Sequence, residues 1–242
     1  MADSPVATVP SHSEAHDGSL AGRLNWLRAG VLGANDCIVS TAGLVIGVAA
    51  ATTERGAVLT AGLAGLAAGA MSMAVGEYVS VSTQRDAEKA LIAKEIRELD
   101  EEPEAELAEL AGIYRGKGLS GDLALQVAEQ LTAHDALAAH AEVELGIDPE
   151  NYTNPSHAAW ASMAAFTIGA LLPLFAIVLP PTAWRIPVTV VAVVLALAFT
   201  GLVSARLGKS DAKRATVRVV IGGLLAMAVT YGIGALMGTQ LA

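Results

Sequence analysis

Five apolar runs constrain this chain more than any other feature. They cover roughly Ala29–Thr53, Gly56–Val81, Ala158–Leu179, Trp184–Ala205 and Val217–Gly238. Each reaches the ~20 residues an α-helix needs to cross a bilayer. In hydrocarbon every backbone N–H and C=O must be satisfied within the segment, so such runs fold as helices. A mean hydropathy of +0.51 is too high for an ordinary soluble domain, and the excess sits in these runs. The breaks are chemically sharp. Thr52-Thr53-Glu54-Arg55-Gly56 is a short polar turn, Pro180-Pro181 stops the third run because proline cannot continue a helix, and Arg206 to Arg218 is a basic hinge before the last.

Basic residues in short loops set orientation. The hinge carries Arg206, Lys209, Lys213, Arg214 and Arg218, whereas the turns after runs one and three hold only Arg55 and Arg185; Arg23 and Arg28 precede the first run. With five spans, this puts the N-terminus, the hinge and the polar insert between runs two and three in the cytoplasm, and the C-terminus outside. Residues 1–22 are polar and contain proline, His12 and His16. They lack the basic start and short apolar core of a signal peptide and read as a disordered cytoplasmic tail.

The insert, residues 83–156, is helical by pattern. Gln84–Leu99 prolongs the second span, Pro103 suits the first turn of a second helix ending near Tyr114, and Gly116-Lys117-Gly118 breaks it. Ser120 can cap a third helix running to Leu145, with Gly146 just past its end. The expected fold is therefore an all-α membrane protein. Its five transmembrane helices (residues 23–82 and 157–242) would carry a three-helix cytoplasmic domain between the second and third.

Charge narrows the partners. The formal net charge is −9, and between Arg85 and Glu109 ten acids face four bases. That disfavours nucleic acid, which needs basic patches, and favours cations. The single cysteine, Cys37, cannot form an intrachain disulfide and reads as packing.

Asp36 is the sharpest single residue. A carboxylate within a span costs about 2.5–3.5 kcal/mol on insertion scales, and such acids mark ion or proton paths. It falls on a small-residue stripe, Asp36, Ser40, Gly43 and Gly47, and so is expected to face the bundle interior. Span two carries Gly62, Gly65, Gly69, Met73, Gly76/Glu77 and Ser80 in a similar stripe. At 1.5 Å per residue Asp36 and Met73 lie at similar depths, about 11 and 12 Å from the cytoplasmic side, with Glu77 one turn shallower than Met73. Two bland readings stand beside this one: Asp36 bonded to Asn35 or Ser40, and Met73 as ordinary packing.

In the insert, acid spacing matters more than acid count. Glu95 and Glu98 are i, i+3, Glu106 and Glu109 repeat that spacing, and His140 and Glu144 are i, i+4. Like charges so spaced repel, and a bound cation relieves that cost. Hard oxygen ligands with one imidazole suit Mn²⁺, Fe²⁺ or Zn²⁺; a solvated acidic face is the alternative. Other chemistries fare worse. A di-iron carboxylate oxidase needs Glu-x-x-His pairs, but the residues three before His134, His140 and His157 are Leu131, Leu137 and Asn154. No Gly-Lys-Ser/Thr phosphate loop and no Ser/His/Asp or Cys/His arrangement is present, so neither ATP-driven pumping nor an enzyme is expected.

Four stretches together resemble the vacuolar iron transporter family, in a bacterial version: GANDCIVSTAGLVIGV in span one, SMAVGEYVSVSTQRDAEKA ending span two, AHDALAAHAEVELGI in the third insert helix and AAFTIGALLPL in span three. The resemblance covers nearly the whole chain after residue 22. It implies a five-span homodimer in the bacterial inner membrane that exchanges cytosolic Fe²⁺ for protons along a path between protomers, with a divalent cation as substrate and ligand and no prosthetic group. By this resemblance Asp36, Met73 and Glu77 lie on the transport path, and Glu95, Glu98, Glu106, Glu109 and Glu144 bind metal. His140 stands where plant members carry a methionine ligand, which shifts the expected preference toward Mn²⁺, Zn²⁺ or Co²⁺. A membrane-anchored metal-binding or sensing protein remains the other reading.

Overall fold

The computed structural model describes residues 20–149 and 152–241. Its elements are α1 (Leu20–Ala51), α2 (Arg55–Glu101), α3 (Pro103–Gly116), α4 (Gly121–His140), a single π-helical turn (Ala141–Leu145), α5 (Pro155–Val178), α6 (Arg185–Leu207) and α7 (Ala212–Leu241). Among the described residues there is no strand. Also among the described residues, five helices are long and apolar enough to cross a membrane: Gly33–Ala51 of α1, α2, α5, α6, and Ala212–Gly238 of α7.

Of the expected tail, residues 1–22, only Leu20 to Gly22 fall among the described residues, and they are helical. Among the described residues helix α1 starts at Leu20. Residues 1–19, with His12 and His16, lie outside the described residues.

The chain forms two compact units, residues 1–66 with 168–242 and residues 67–167, so that α2 and α5 each contribute to both. In the first unit α7 packs on α1 and α6, and α1 on α6. The α1–α7 seam is built from small residues four apart: Gly43, Gly47 and Ala51 on α1 meet Thr230, Gly234 and Gly238 on α7. A Cβ on Gly234 would run into the Gly47 carbonyl oxygen, and one on Gly238 would lie 2.8 Å from the Ala51 oxygen. This close backbone approach is how helices associate where no hydrophobic effect drives them together. The span-two glycines pack likewise, Gly62 beneath Leu174 and Gly65 beneath Leu44, and in the second unit Gly69 lies beneath Phe166. Cys37 is buried against Gly169 and donates to the Ala34 carbonyl at 3.2 Å, a packing role.

The turns after α1 and α5 are strapped to each other. Arg55 donates to the Pro180 carbonyl at 3.0 Å, while Arg185 donates to the Thr53 carbonyl at 3.3 Å and to Thr182 Oγ1 at 2.9 Å. Arg185 is only 2% exposed. Counting loop charges from sequence does not reveal that these arginines are tied to backbone oxygens.

In the second unit α3 packs on α4 through Leu110, Ala111, Ala128 and Ala139, with Leu107, Tyr114, Leu131 and Val143 at the margins. Pro103 occupies the first turn of α3, where a missing N–H costs nothing. Ser120 stands at the start of α4 but makes no side-chain capping bond. The third insert helix is not continuous. Asp135 adopts extended backbone (φ −161°, ψ 97°), and its Oδ1 accepts the Ala138 N–H at 2.9 Å, capping a fresh helical segment. That segment widens into the π-turn and stops at left-handed Gly146 (φ 65°).

Candidate metal centre

The chain breaks just described place His140 and Glu144 beside α2 and α3. His140 is the last residue of α4 and Glu144 lies in the π-turn; such turns occur often at functional sites. Glu95 comes from the inward face of α2, one turn after buried Ile92, and Glu106 from the first turns of α3.

Three carboxylates converge on one ring nitrogen. His140 Nδ1 lies 3.0 Å from Glu95 Oε1, 3.6 Å from Glu106 Oε2 and 3.5 Å from Glu144 Oε2. The His140 side chain is fully buried and that of Glu95 only 3% exposed, whereas Glu144 opens toward solvent. Ligand atoms of Glu95, His140 and Glu144 all lie within 4.8 Å of one another, close enough to share one ion after a small contraction. Glu95 Oε1, close to Nδ1 but poorly aligned with it, and His140 Nε2 are both buried without a hydrogen-bond partner. A buried polar atom left bare is costly, so this arrangement wants a ligand.

The electrostatics agree. Burial pushes the Glu95 carboxyl above its ordinary value, with the Glu144 charge adding to the rise and His140 opposing it. Burial also raises Glu106, helped by the neighbouring Glu109 charge. Each shift disfavours the anion. A divalent ion among these carboxylates offsets both causes, because it supplies the missing positive charge and takes up the bare Glu95 Oε1 lone pair, with Nδ1 as the His140 nitrogen facing it. Mixed carboxylate and imidazole donors fit Mn²⁺, Fe²⁺ or Zn²⁺.

Glu98 and Glu109 stay out of this inner set. Glu98 is half-buried and pairs with Lys94, whose own pKa that bond raises; Glu109 is exposed and acts on Glu106 only through its charge. They form an outer acidic rim.

The proposed path residues fall in different units. Met73 and Glu77 are half-buried in the second; Asp36 belongs to the first. Asp36, expected to face the interior of the bundle, is exposed on the single protomer. Residues Asp36, Ser40 and Leu44 form an exposed row four apart, and Leu44 reaches over Gly65 of α2. Gly43 and Gly47 lie on a different face. At about 100° per residue, stepping three residues from Ser40 or four leads to rows about 100° apart, and only the first of these meets α7.

Comparison with known proteins supplies the remaining finding. A sequence model of the VIT family matches residues 27–235. The "Vacuolar iron transporter" of Acanthamoeba castellanii is 45% identical over 228 residues, 93% of this chain and 84% of that protein. "Vacuolar iron transporter homolog 2.1" of Arabidopsis thaliana is 37% identical, covering 90% of this chain and 84% of that protein. "Vacuolar iron transporter homolog 1" of Oryza sativa subsp. japonica is 40% identical, covering 89% and 75%.

Proposed function

We propose, since the chain belongs to the VIT family, a family of transporters and not of enzymes, that it carries Fe²⁺, with Mn²⁺ as a second cargo, out of the cytoplasm in exchange for protons. The observation that carries this reading is the buried His140 site, whose three carboxylates grouped around ring Nδ1 suit a divalent cation. In this reading the helical unit lies in the cytoplasm and gathers the ion. Glu95, Glu106, His140 and Glu144 bind it, and Glu98 and Glu109 raise its concentration around them.

Transfer then proceeds along α2. Glu77 and Glu95 are eighteen residues apart in sequence, about 27 Å along a helix. That exceeds the ~8 Å over which salt lets a charge be felt. Gathering and translocation are thus separate steps, the second belonging to Glu77, Met73 and Asp36. Exposure of Asp36 on the single protomer fits a path completed by a second copy of the chain, a homodimer within the bilayer. Protonating Asp36 from the acidic side removes the charge that held the ion, and the proton returns inward with the carrier.

One observation favours a second reading. All four inner ligands come from the second unit, so binding itself calls on no residue of the first, as in a membrane-anchored metal sensor. Liposomes with purified protein separate the two. The transporter is expected to take up Fe²⁺ and Mn²⁺ faster with an imposed pH gradient, and Zn²⁺ and Co²⁺ reveal its selectivity. Metal binding without flux supports the sensor instead.

A further inference from the structure

The basic turn between α6 and α7 holds more than its loop charges require. Arg206, Lys209, Lys213, Arg214 and Arg218 are all exposed. Their one acidic neighbour pairs only with Arg214, at 3.5 Å between side chains 89% and 56% exposed, a contact too solvated to bind firmly. Among the described residues no acid pairs with the other four.

Three features show that these cations are not there for the fold. Lys209 sits in the left-handed region (φ 49°), which glycine adopts freely, although Gly208 next to it does not take that conformation. Lys213 and Arg214 lie in the first turn of α7, where positive charge opposes the helix dipole. Third, the arginines are ordered along the helix. Arg214, Arg218, Ile221 and Leu225 follow one another at steps of three or four, with Val217 beside Arg218, making one exposed face that changes from guanidinium to hydrocarbon. The opposite side of the same turns, Ala215, Gly223 and Met227, is buried against the rest of the unit. Setting orientation requires basic residues anywhere in the loop; it does not require this row.

From these features we propose that the α6–α7 turn and the outer row of α7 bind an anionic phospholipid. Arg214 and Arg218 take the headgroup phosphate, for which a planar guanidinium is suited. Lys209, Lys213 and Arg206 surround it, while Val217, Ile221 and Leu225 lie along the acyl chain, with exposed Leu207 beside them on α6. Charge and hydrocarbon thus match the lipid in the order in which a bilayer presents them.

The inference rests only on α6 and α7 lying in a bilayer, and its readout is independent of transport. Purified full-length protein is exchanged into micelles with equal amounts of phosphatidylglycerol and phosphatidylcholine, and retained lipids are counted by native mass spectrometry. Wild type is expected to retain phosphatidylglycerol about tenfold over phosphatidylcholine, from a contribution of about fivefold or less per basic residue. Arg214→Gln with Arg218→Gln is expected to bring the ratio near parity. Equal retention by wild type overturns the proposal without any variant, as does an unchanged ratio in a folded double variant. If that variant does not fold, Arg218→Gln alone is expected to lower the ratio severalfold, and no change overturns the proposal. Displacement of the lipid by inorganic phosphate alone, or oligomerisation lost in the variant while wild type shows no lipid preference, points to another occupant and also overturns it. A protein that fails to move metal in liposomes leaves this measurement unaffected.

Discussion

The α1–α7 seam and the cluster around His140 are both close-packed, but they are packed for opposite reasons. At the seam, Gly47 and Gly234 bring backbone against backbone with nothing left unsatisfied. Around His140, three carboxylates are crowded together, burial disfavours the charge of two of them, Glu95 and Glu106, and Glu95 Oε1 has no hydrogen-bond partner. The first region is complete as it stands. The second is stable only to the extent that something offsets its charge. In one chain the fold is thus relaxed where helices must hold together and crowded with charge where the proposed ion site lies.

The comparison can be broken most forcefully at the seam. Gly234→Val places side-chain atoms on the Gly47 carbonyl, which is backbone and cannot turn aside. A loss of about 3 kcal/mol or more is expected, seen as loss of monodisperse protein or a large fall in Tm. Binding of Mn²⁺ to whatever protein still folds should be little changed. Arg185→Ala comes next. It removes the strap to Thr53 and Thr182 and should destabilise by about 1–3 kcal/mol in thermal unfolding, with Arg185→Lys milder.

At the cluster the expected effects are smaller and carry the opposite sign. Glu95→Gln removes a disfavoured anion, so metal-free protein should hold or gain stability by up to about 1 kcal/mol, while Mn²⁺ affinity by calorimetry falls about 10-fold or more. A variant that loses both stability and affinity would show that the cluster is ordinary structure. The pH dependence refines the point. Glu95 and Glu106 have folded-state pKa values above the ordinary 4.5. The folded unit therefore holds these protons more tightly than the unfolded chain. This contribution is full below pH 4.5 and is lost as pH rises through the raised values. Melts in chelator should show the decline. Saturating Mn²⁺ should reverse it, since the ion binds the carboxylates.

Much of this difference can be read from the sequence, for a physical reason. Apolar runs, Pro103, Pro180-Pro181 and Gly146 act locally, and the helix ends fall near where those residues put them. The i, i+3 and i, i+4 acids mark α2, α3 and the end of α4 as one cluster, but spacing within a helix cannot say which member of each pair turns inward. Glu95 and Glu106 do; Glu98 and Glu109 stay on the rim. That choice depends on the break at Asp135 and the π-turn after it, hidden in an alanine-rich stretch that reads as unbroken helix. A sign was available: Asp135 stands three residues before the amide it caps. Spacing also revealed half of the seam. Gly43 and Gly47 stood out, whereas Thr230, Gly234 and Gly238 required their partner helix to be known. Asp36 was expected on one stripe with Gly43 and Gly47, but two rows diverge from Ser40, and only packing shows which one meets α7. The burial of Arg185 left no mark in a count of loop charges.

The central claim is that a cation gathered at His140 crosses the membrane by way of the span-one aspartate. Its most direct test is pH-gradient-driven Fe²⁺ flux into proteoliposomes, wild type against Asp36→Asn. The account expects gradient-dependent flux in wild type and its loss in the variant, with Fe²⁺ binding to the helical unit retained. Equal flux with the same pH dependence in both proteins would contradict it.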